Sequence, residues 1–195
     1  MAKKESTLGN MLFALFVITF CASLALSMVY SLTKAPIAAA MMARTNNAIM
    51  EVIPDFDNVP SEEAYQVSIG GGDTLIFYPG RKDGELVGTA IESFTRNGFS
   101  GLIKVMVGVM PDGTIHDVMT ISHAETPGLG DKIEKRKSDW TTDWFSGRDP
   151  RDFNLAIRQD GGEVDAITAS TITSRAFSEA VMRAWDAYMN YKESN

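Results

Sequence analysis

Two stretches of the chain carry side chains in patterns that could do chemistry. The first is His123-Ala-Glu-Thr-Pro-Gly-Leu-Gly-Asp131, in which Gly128 and Gly130 flank the single Leu129. Glycines let backbone amides approach a ligand closely, and Glu125 and Thr126 add polar groups at the same lip. The same composition suits a plain strand-to-helix loop, with Pro127 and the glycines as turn punctuation. The second is Asp165-Ala-Ile-Thr-Ala-Ser-Thr-Ile-Thr-Ser174, where Thr168, Ser170, Thr171, Thr173 and Ser174 place five hydroxyls in seven residues. An amphipathic pattern follows, so these hydroxyls stand at a helix start, whose unpaired N–H groups and positive dipole end favour phosphate. Hydroxyls there can donate to a phosphate or be esterified by it. Equally, Ser and Thr are the ordinary capping residues of a helix.

Other constellations are thin. His116 and His123 are seven apart on one strand pattern and face opposite sides of an ideal strand, so no metal pair is expected. His123 and Glu125 could form an acid/base pair on one face, but no nucleophile stands beside them, and a solvated surface pair is the plainer reading. The chain has no Walker loop, no G-x-S-x-G elbow and no H-E-x-x-H. Cys21 is the single cysteine, which excludes a disulfide framework, a Cys-rich zinc site and a protein-held iron–sulfur cluster within these 195 residues. Eighteen Lys and Arg against 25 Asp and Glu leave a formal charge of −7, which argues against a nucleic-acid partner.

The elements that must position these stretches are legible in outline. Tyr65, Val67 and Ile69 alternate before the turn signal Gly70-Gly71-Gly72-Asp73, and strand-like runs follow at Leu75–Tyr78 and, after Asp83-Gly84, at Glu85–Phe94. The strongest strand signal is Ile103, Val105, Val107 and Val109, joined through Pro111-Asp112-Gly113 to Ile115–Ile121 as a hairpin. Lys132–Phe145 reads as a helix, and Asn154–Arg158 with Glu163–Ile167 as a short strand pair around Asp160-Gly161-Gly162. The last helix is expected over Ser174–Tyr191, with Phe177, Val181, Trp185 and Tyr188 on one apolar face. Antiparallel strands flanked by helices imply an α+β domain. No internal repeat is present.

Ahead of that domain, Met11–Leu32 is a run of 22 residues without a formal charge. As a helix it spans roughly 33 Å, enough for a hydrocarbon core of about 30 Å. It exceeds the apolar region of a cleaved signal peptide, about 7–15 residues, and runs on into Ala-rich helical sequence, so an uncleaved anchor is expected. A lipoprotein signal needs a small residue just before the cysteine, and Phe20 stands there. The expected organisation is a tail over 1–10, a transmembrane helix over 11–32, a helical connector over 33–53 with Pro36 as a bend point and Pro54 as its stop, and a domain over 54–195. Lys3 and Lys4 precede the span and Lys34 and Arg44 follow it, a weak positive-inside signal. Three of the 18 basic and one of the 25 acidic residues lie before residue 35, so the rest carries −9 and would be repelled by an anionic membrane surface. Domain outside and N-terminus inside is the expected orientation. Thr19, Ser23, Ser27 and Ser31 form a small-residue stripe, which either packs against partner helices or is simply tolerated in the span.

Taken together these segments resemble RnfG, the flavin-bearing G component of the Rnf electron-transport complex, a relative of the C component of the sodium-pumping NADH:quinone reductase. The resemblance covers nearly the whole chain: the N-terminal anchor, His123-Ala-Glu-Thr-Pro-Gly-Leu-Gly-Asp-Lys-Ile133, Lys137-Ser-Asp-Trp140, and Asp165 through Thr171-Ile-Thr173. The Gly-Asp-Lys-Ile continuation and the short domain are closer to the Rnf member. The resemblance implies FMN joined by a phosphoester to the last Thr of an Asp-x-x-(Ser/Thr)-Gly-Ala-Thr motif by a separate flavin transferase. By position Thr171 is the acceptor, Asp165 and Thr168 belong to the recognition motif, and Ser170 and Thr173 flank the acceptor. Glu125, Thr126, Gly128 and Leu129 then lie near the flavin. One departure stands out: the motif's Gly-Ala is Ala169-Ser170 here. That matters if the backbone needs a positive φ, and Ser170 adds a competing hydroxyl.

What the family implies for function is a redox relay in a complex that passes electrons from reduced ferredoxin to NAD while moving Na⁺ or H⁺. Its partners would be the other Rnf membrane subunits, among them a second FMN-carrying one and an iron–sulfur-bearing pair, together with the flavin transferase; nucleic acid is not expected. The implied location is the inner membrane, single-pass, with the C-terminal domain extracytoplasmic. Pumping would belong to the partners, since one span cannot form an ion path. The rivals are the equivalent component of the quinone reductase, a flavin-free anchored binding or assembly module, and a tethered hydrolase using His123 and Glu125.

Overall fold

A computed structural model describes residues 7–194; Lys3 and Lys4 and most of the expected tail lie outside them. The element order is α1 (Leu8–Val52), β1 (Tyr65–Gly70), β2 (Asp73–Lys82), β3 (Glu85–Gly98), β4 (Gly101–Val109), β5 (Ile115–Ser122), α2 (Trp140–Phe145) and α3 (Thr171–Ser194). The chain divides into two compact units, one ending at Ala43 and one beginning at Arg44. The first is the apolar part of α1, with its side chains exposed and long enough to span a bilayer. Within it the Thr19, Ser31 and Thr33 hydroxyls donate to the carbonyls of Leu15, Ser27 and Val29 at 2.8–2.9 Å, which satisfies them inside the helix. Pro36 sits inside α1 without ending it, and the helix stops two residues before Pro54.

The second unit is built on a five-stranded antiparallel sheet in the order β1-β2-β3-β4-β5, so each strand follows its neighbour through a hairpin. The five strand runs read between Tyr65 and Ile121 are the five strands formed. One sheet face carries Leu75, Phe77, Ile91, Val105 and Val107 and is covered by α3 through Ala176, Phe177, Ala180, Val181 and Ala184. The three alanines let α3 approach closely enough for the buried Ser93 hydroxyl to donate to the Ala180 carbonyl at 2.7 Å. Trp140 and Phe145 of α2 meet Phe177 edge-on at 5.5 and 5.2 Å and close the core at one end. The opposite sheet face packs Tyr78, Ala90 and Met106 against Ala48, Ile49, Val52 and Ile53. The result is α+β, as the strand and helix patterns imply.

Three expectations are corrected. Lys132–Phe145 is not one helix: a 3-10 turn covers Gly130–Ile133 and α2 begins only at Trp140. Between them Lys135 pairs with Asp117, Arg136 with Glu134 and Lys137 with Asp131, so the charged run is drawn to three partners rather than along a helix face. The strand pair at 154–167 reduces to a single parallel bridge between Ile157 and Val164. Gly162 crosses so close to Ala156 that a Cβ would lie 1.9 Å from its carbonyl oxygen, which leaves no room for a regular ladder. Finally, α3 starts at Thr171, three residues earlier than the apolar pattern suggests, because the Ser174 N–H already reaches the Ser170 carbonyl at 2.9 Å.

Candidate functional site

That early start changes what the hydroxyl cluster is. Ser174 is the first residue whose N–H finds a helical carbonyl, so the amides of Thr171, Ile172 and Thr173 precede the ladder of α3. The Ser174 hydroxyl locks the turn by accepting from the Ile167 N–H at 2.9 Å and donating to the Ser170 carbonyl at 3.0 Å. Ala169 sits at φ +62°, in the left-handed region. The position where the family motif has Gly therefore does use a positive φ, and Ala tolerates it at a cost of about 1–2 kcal/mol. Ser170 is buried, whereas Thr171 is half-buried and no described residue takes its hydroxyl.

Facing this helix start is the loop that follows β5. The Thr126 carbonyl accepts the N–H groups of Leu129 at 3.2 Å and Asp131 at 3.4 Å, with Gly128 at φ +79° making the reversal. Glu125 is 4% exposed and is the junction of three segments. Its Oε2 accepts from the Thr173 hydroxyl at 2.5 Å, and its Oε1 from the Ser100 N–H in the β3–β4 turn at 2.9 Å. Gly130 packs so tightly there that a Cβ would lie 2.8 Å from Glu125 Oε2 and 2.9 Å from Thr173 Oγ1. Behind the loop, Lys137 Nζ donates to Asp131 at 2.5 Å, and that ammonium holds the Asp131 carboxyl below the usual carboxylate range.

These parts enclose a cavity of about 330 Å³. Its walls include Glu125, Thr126 and Leu129 from the loop and Ser170, Thr171 and Thr173 from α3, so six of the residues singled out in the sequence converge on one hollow. Gly128 shapes the loop without lining the cavity. Asp165 and Thr168 are exposed and also outside it; Asp165 pairs with Arg158 at 2.8 Å, and its carbonyl accepts from Trp140 Nε1 at 2.6 Å. Gly130 and Ala169 also line it, and Phe99 and Ile172, which were not singled out, complete the wall. The Gly98-Phe-Ser-Gly101 hairpin tip, with an aromatic set between glycines, is the signal that could have pointed to Phe99.

His123 and Glu125 do not form the surface pair expected of them. The Glu125 N–H donates to His123 Nδ1 at 3.0 Å, so Nε2 carries the proton and donates to Glu134 at 2.8 Å. Both side chains are largely buried, and the Glu125 carboxylate is turned to Thr173 and Ser100. His116 is held elsewhere, its Nδ1 3.1 Å from the Val52 carbonyl.

The site thus offers free helix-start amides and a hydroxyl, suited to phosphate, together with apolar surface from Phe99, Leu129 and Ile172, suited to a flat ring. FMN has both parts, and these residues fit it. The profile of a family described as an FMN-binding domain matches residues 98–186, a range that holds every wall of the cavity. The G component of an ion-translocating oxidoreductase complex from Shewanella piezotolerans is 34% identical over 200 residues, covering 98% of this chain and 93% of its own. The corresponding protein of Aliivibrio fischeri strain ES114 is 35% identical, covering 95% and 91%, and that of Photorhabdus laumondii 39%, covering 80% and 78%. The chain belongs to this family, the RnfG proteins of the Rnf ion-translocating oxidoreductase complex, as an electron-transport subunit with an FMN-binding domain.

Proposed function

We propose that the Thr171 hydroxyl carries FMN as a phosphoester, and that the chain serves as a tethered flavin relay in a ferredoxin:NAD⁺ oxidoreductase complex coupled to Na⁺ or H⁺ movement. The observation that carries this reading is the half-buried, unengaged Thr171 hydroxyl at the open start of α3, facing the Glu125–Gly130 loop across the cavity. Bound FMN supplies exchange of one or two electrons. The chain's own residues do the rest. The amides of Thr171, Ile172 and Thr173 present positive potential to a phosphate, and Glu125 fixes the distance between loop and helix by holding Ser100 and Thr173 at once. Leu129 and Ile172 give the hollow its apolar side. The apolar part of α1 anchors the domain in the inner membrane, with the −9 charge of the residues after 34 favouring the extracytoplasmic side. The other Rnf membrane subunits supply the remaining carriers and the ion path, and a flavin transferase attaches the flavin, with Asp165 and Thr168 exposed for its recognition.

The test is intact-mass measurement on protein co-expressed with the transferase. The parent chain should gain the mass of one FMN and fluoresce on a denaturing gel, and Thr171→Ala should do neither while melting at the parent's temperature. An unmodified parent chain, or a Thr171→Ala chain that still gains the mass, refutes the attachment.

A further inference from the structure

Phe99 is a large aromatic side chain left 67% exposed at the tip of the β3–β4 hairpin. From Arg44 onward, the other exposed large apolar side chains among the described residues are Met50, Val59, Leu102, Leu129, Ile172 and Tyr191. Three of the seven, Phe99, Leu129 and Ile172, stand around the same cavity that holds Thr171. Apolar surface concentrated in this way marks a place where something apolar is bound.

The tip is held rather than loose. Gly98 pairs with Gly101 across the turn, and a Cβ on Gly98 would lie 2.4 Å from the Gly101 carbonyl oxygen and 2.8 Å from Glu125 Oε1. The Ser100 N–H is bonded to the same Oε1 at 2.9 Å, and the other carboxylate oxygen holds Thr173, two residues beyond Thr171. One buried carboxylate therefore sets the position of the aromatic tip and of the helix start that bears the acceptor hydroxyl. Such a frame orients a ring held at one end and met by an aromatic face at the other.

We propose that Phe99 provides the face on which the flavin's isoalloxazine ring lies, flanked by Leu129 and Ile172, so that the β3–β4 tip is part of the flavin site. This rests on FMN being joined to Thr171. A flat heteroaromatic ring stacked with offset on Phe99 covers the exposed phenyl surface and leaves the ring's polar edge free for amides and water.

The test uses the flavinylated full-length chain. Trp and Tyr quench flavin emission by electron transfer at contact and Phe does not, so Phe99→Trp and Phe99→Tyr report directly on what the ring touches. Val59→Trp is the control, since its neighbours Asp57 and Asn58 tie that segment to Pro79 and Arg81 at the far end of β2. With the FMN mass present in all four proteins, emission should fall about five-fold or more in both Phe99 variants, as expected of rings in stacking contact, and stay at the parent level in Val59→Trp. Phe99 variants as bright as the parent, or unable to take up the flavin while Val59→Trp does, overturn the proposal and leave the Thr171 attachment standing. A parent chain without the FMN mass fails the attachment itself, and this assignment with it.

Discussion

Ala169 is where local chemistry and family pattern collide. At φ +62° an alanine Cβ crowds its own carbonyl, a cost of about 1–2 kcal/mol that glycine escapes. Glycine also loses more entropy on folding, which returns part of that gain. Ala169→Gly is therefore expected to raise the melting temperature by about 2–4 °C, the shift that roughly 1 kcal/mol produces in a domain of this size. Thermal unfolding followed by circular dichroism checks it, and an unchanged or lower melting temperature means that the turn is not strained at this residue. Several members of the cavity could be read from residue types alone, because Glu125, Thr126, Thr171 and Thr173 are polar groups in segments with no need of them for a core. Phe99 and Ile172 could not. An apolar side chain looks like core in one dimension; the glycines around Phe99 hint at a hairpin tip, but only the outer side of the first turn of α3 shows that Ile172 is left uncovered.

Elements were legible to the degree that their pattern is strictly periodic. The alternation of Ile103, Val105, Val107 and Val109 can be satisfied only by a strand with one side on the core, and all four are fully buried in β4. The run at 132–145 has its charges and aromatics in helical proportion, but its pairs do not keep helical spacing: Arg136 meets Glu134 two residues back, Lys137 meets Asp131 six back, and Lys135 meets Asp117 of β5, which lies next to it only once the chain has folded. Glycines carry a further message between elements. Gly80, Gly88 and Gly108 lie on three adjacent strands, and a Cβ at each would strike Ile53 or Val52; at Gly108 it would lie 1.7 Å from the Val52 carbonyl oxygen. Bare backbone on the sheet thus seats the end of α1 and the residue after it, a seat that the His116 ring reinforces by bonding that carbonyl. Gly108→Ala must push the helix end off the sheet, and by analogy with other overpacked contacts should destabilise the second unit by about 1–3 kcal/mol. Gly84→Ala, which meets open space and only a positive φ of 84°, should cost less. Equal losses in urea unfolding would mean that the seat contributes nothing.

At the scale of the whole molecule, the acidic composition sets how stability responds to pH. Asp73, Asp112, Asp131, Asp149 and Asp160 are all held below the usual carboxylate range, by Arg96, the Thr114 amide, Lys137, Arg151 and Arg175 respectively. A carboxyl whose pKa is lower in the folded than in the unfolded chain adds stability above its unfolded pKa of about 3.9, and that stability is lost as pH falls through the folded value. Protonation also relieves the self-repulsion of a −7 chain, which works in the opposite direction. Asp131 decides between them, because its side chain is 5% exposed although Lys137 is 44% exposed, whereas Asp73 and Arg96 are 31% and 65% exposed and that pair is worth little. Urea midpoints should therefore fall steeply below about pH 4. Asp131→Asn should start from a lower midpoint at pH 7 and decline less on acidification, and Asp73→Asn should run parallel to the parent. If Asp131→Asn also runs parallel, acid sensitivity comes from the dispersed surface charge rather than from the ion pair behind the Glu125–Gly130 loop.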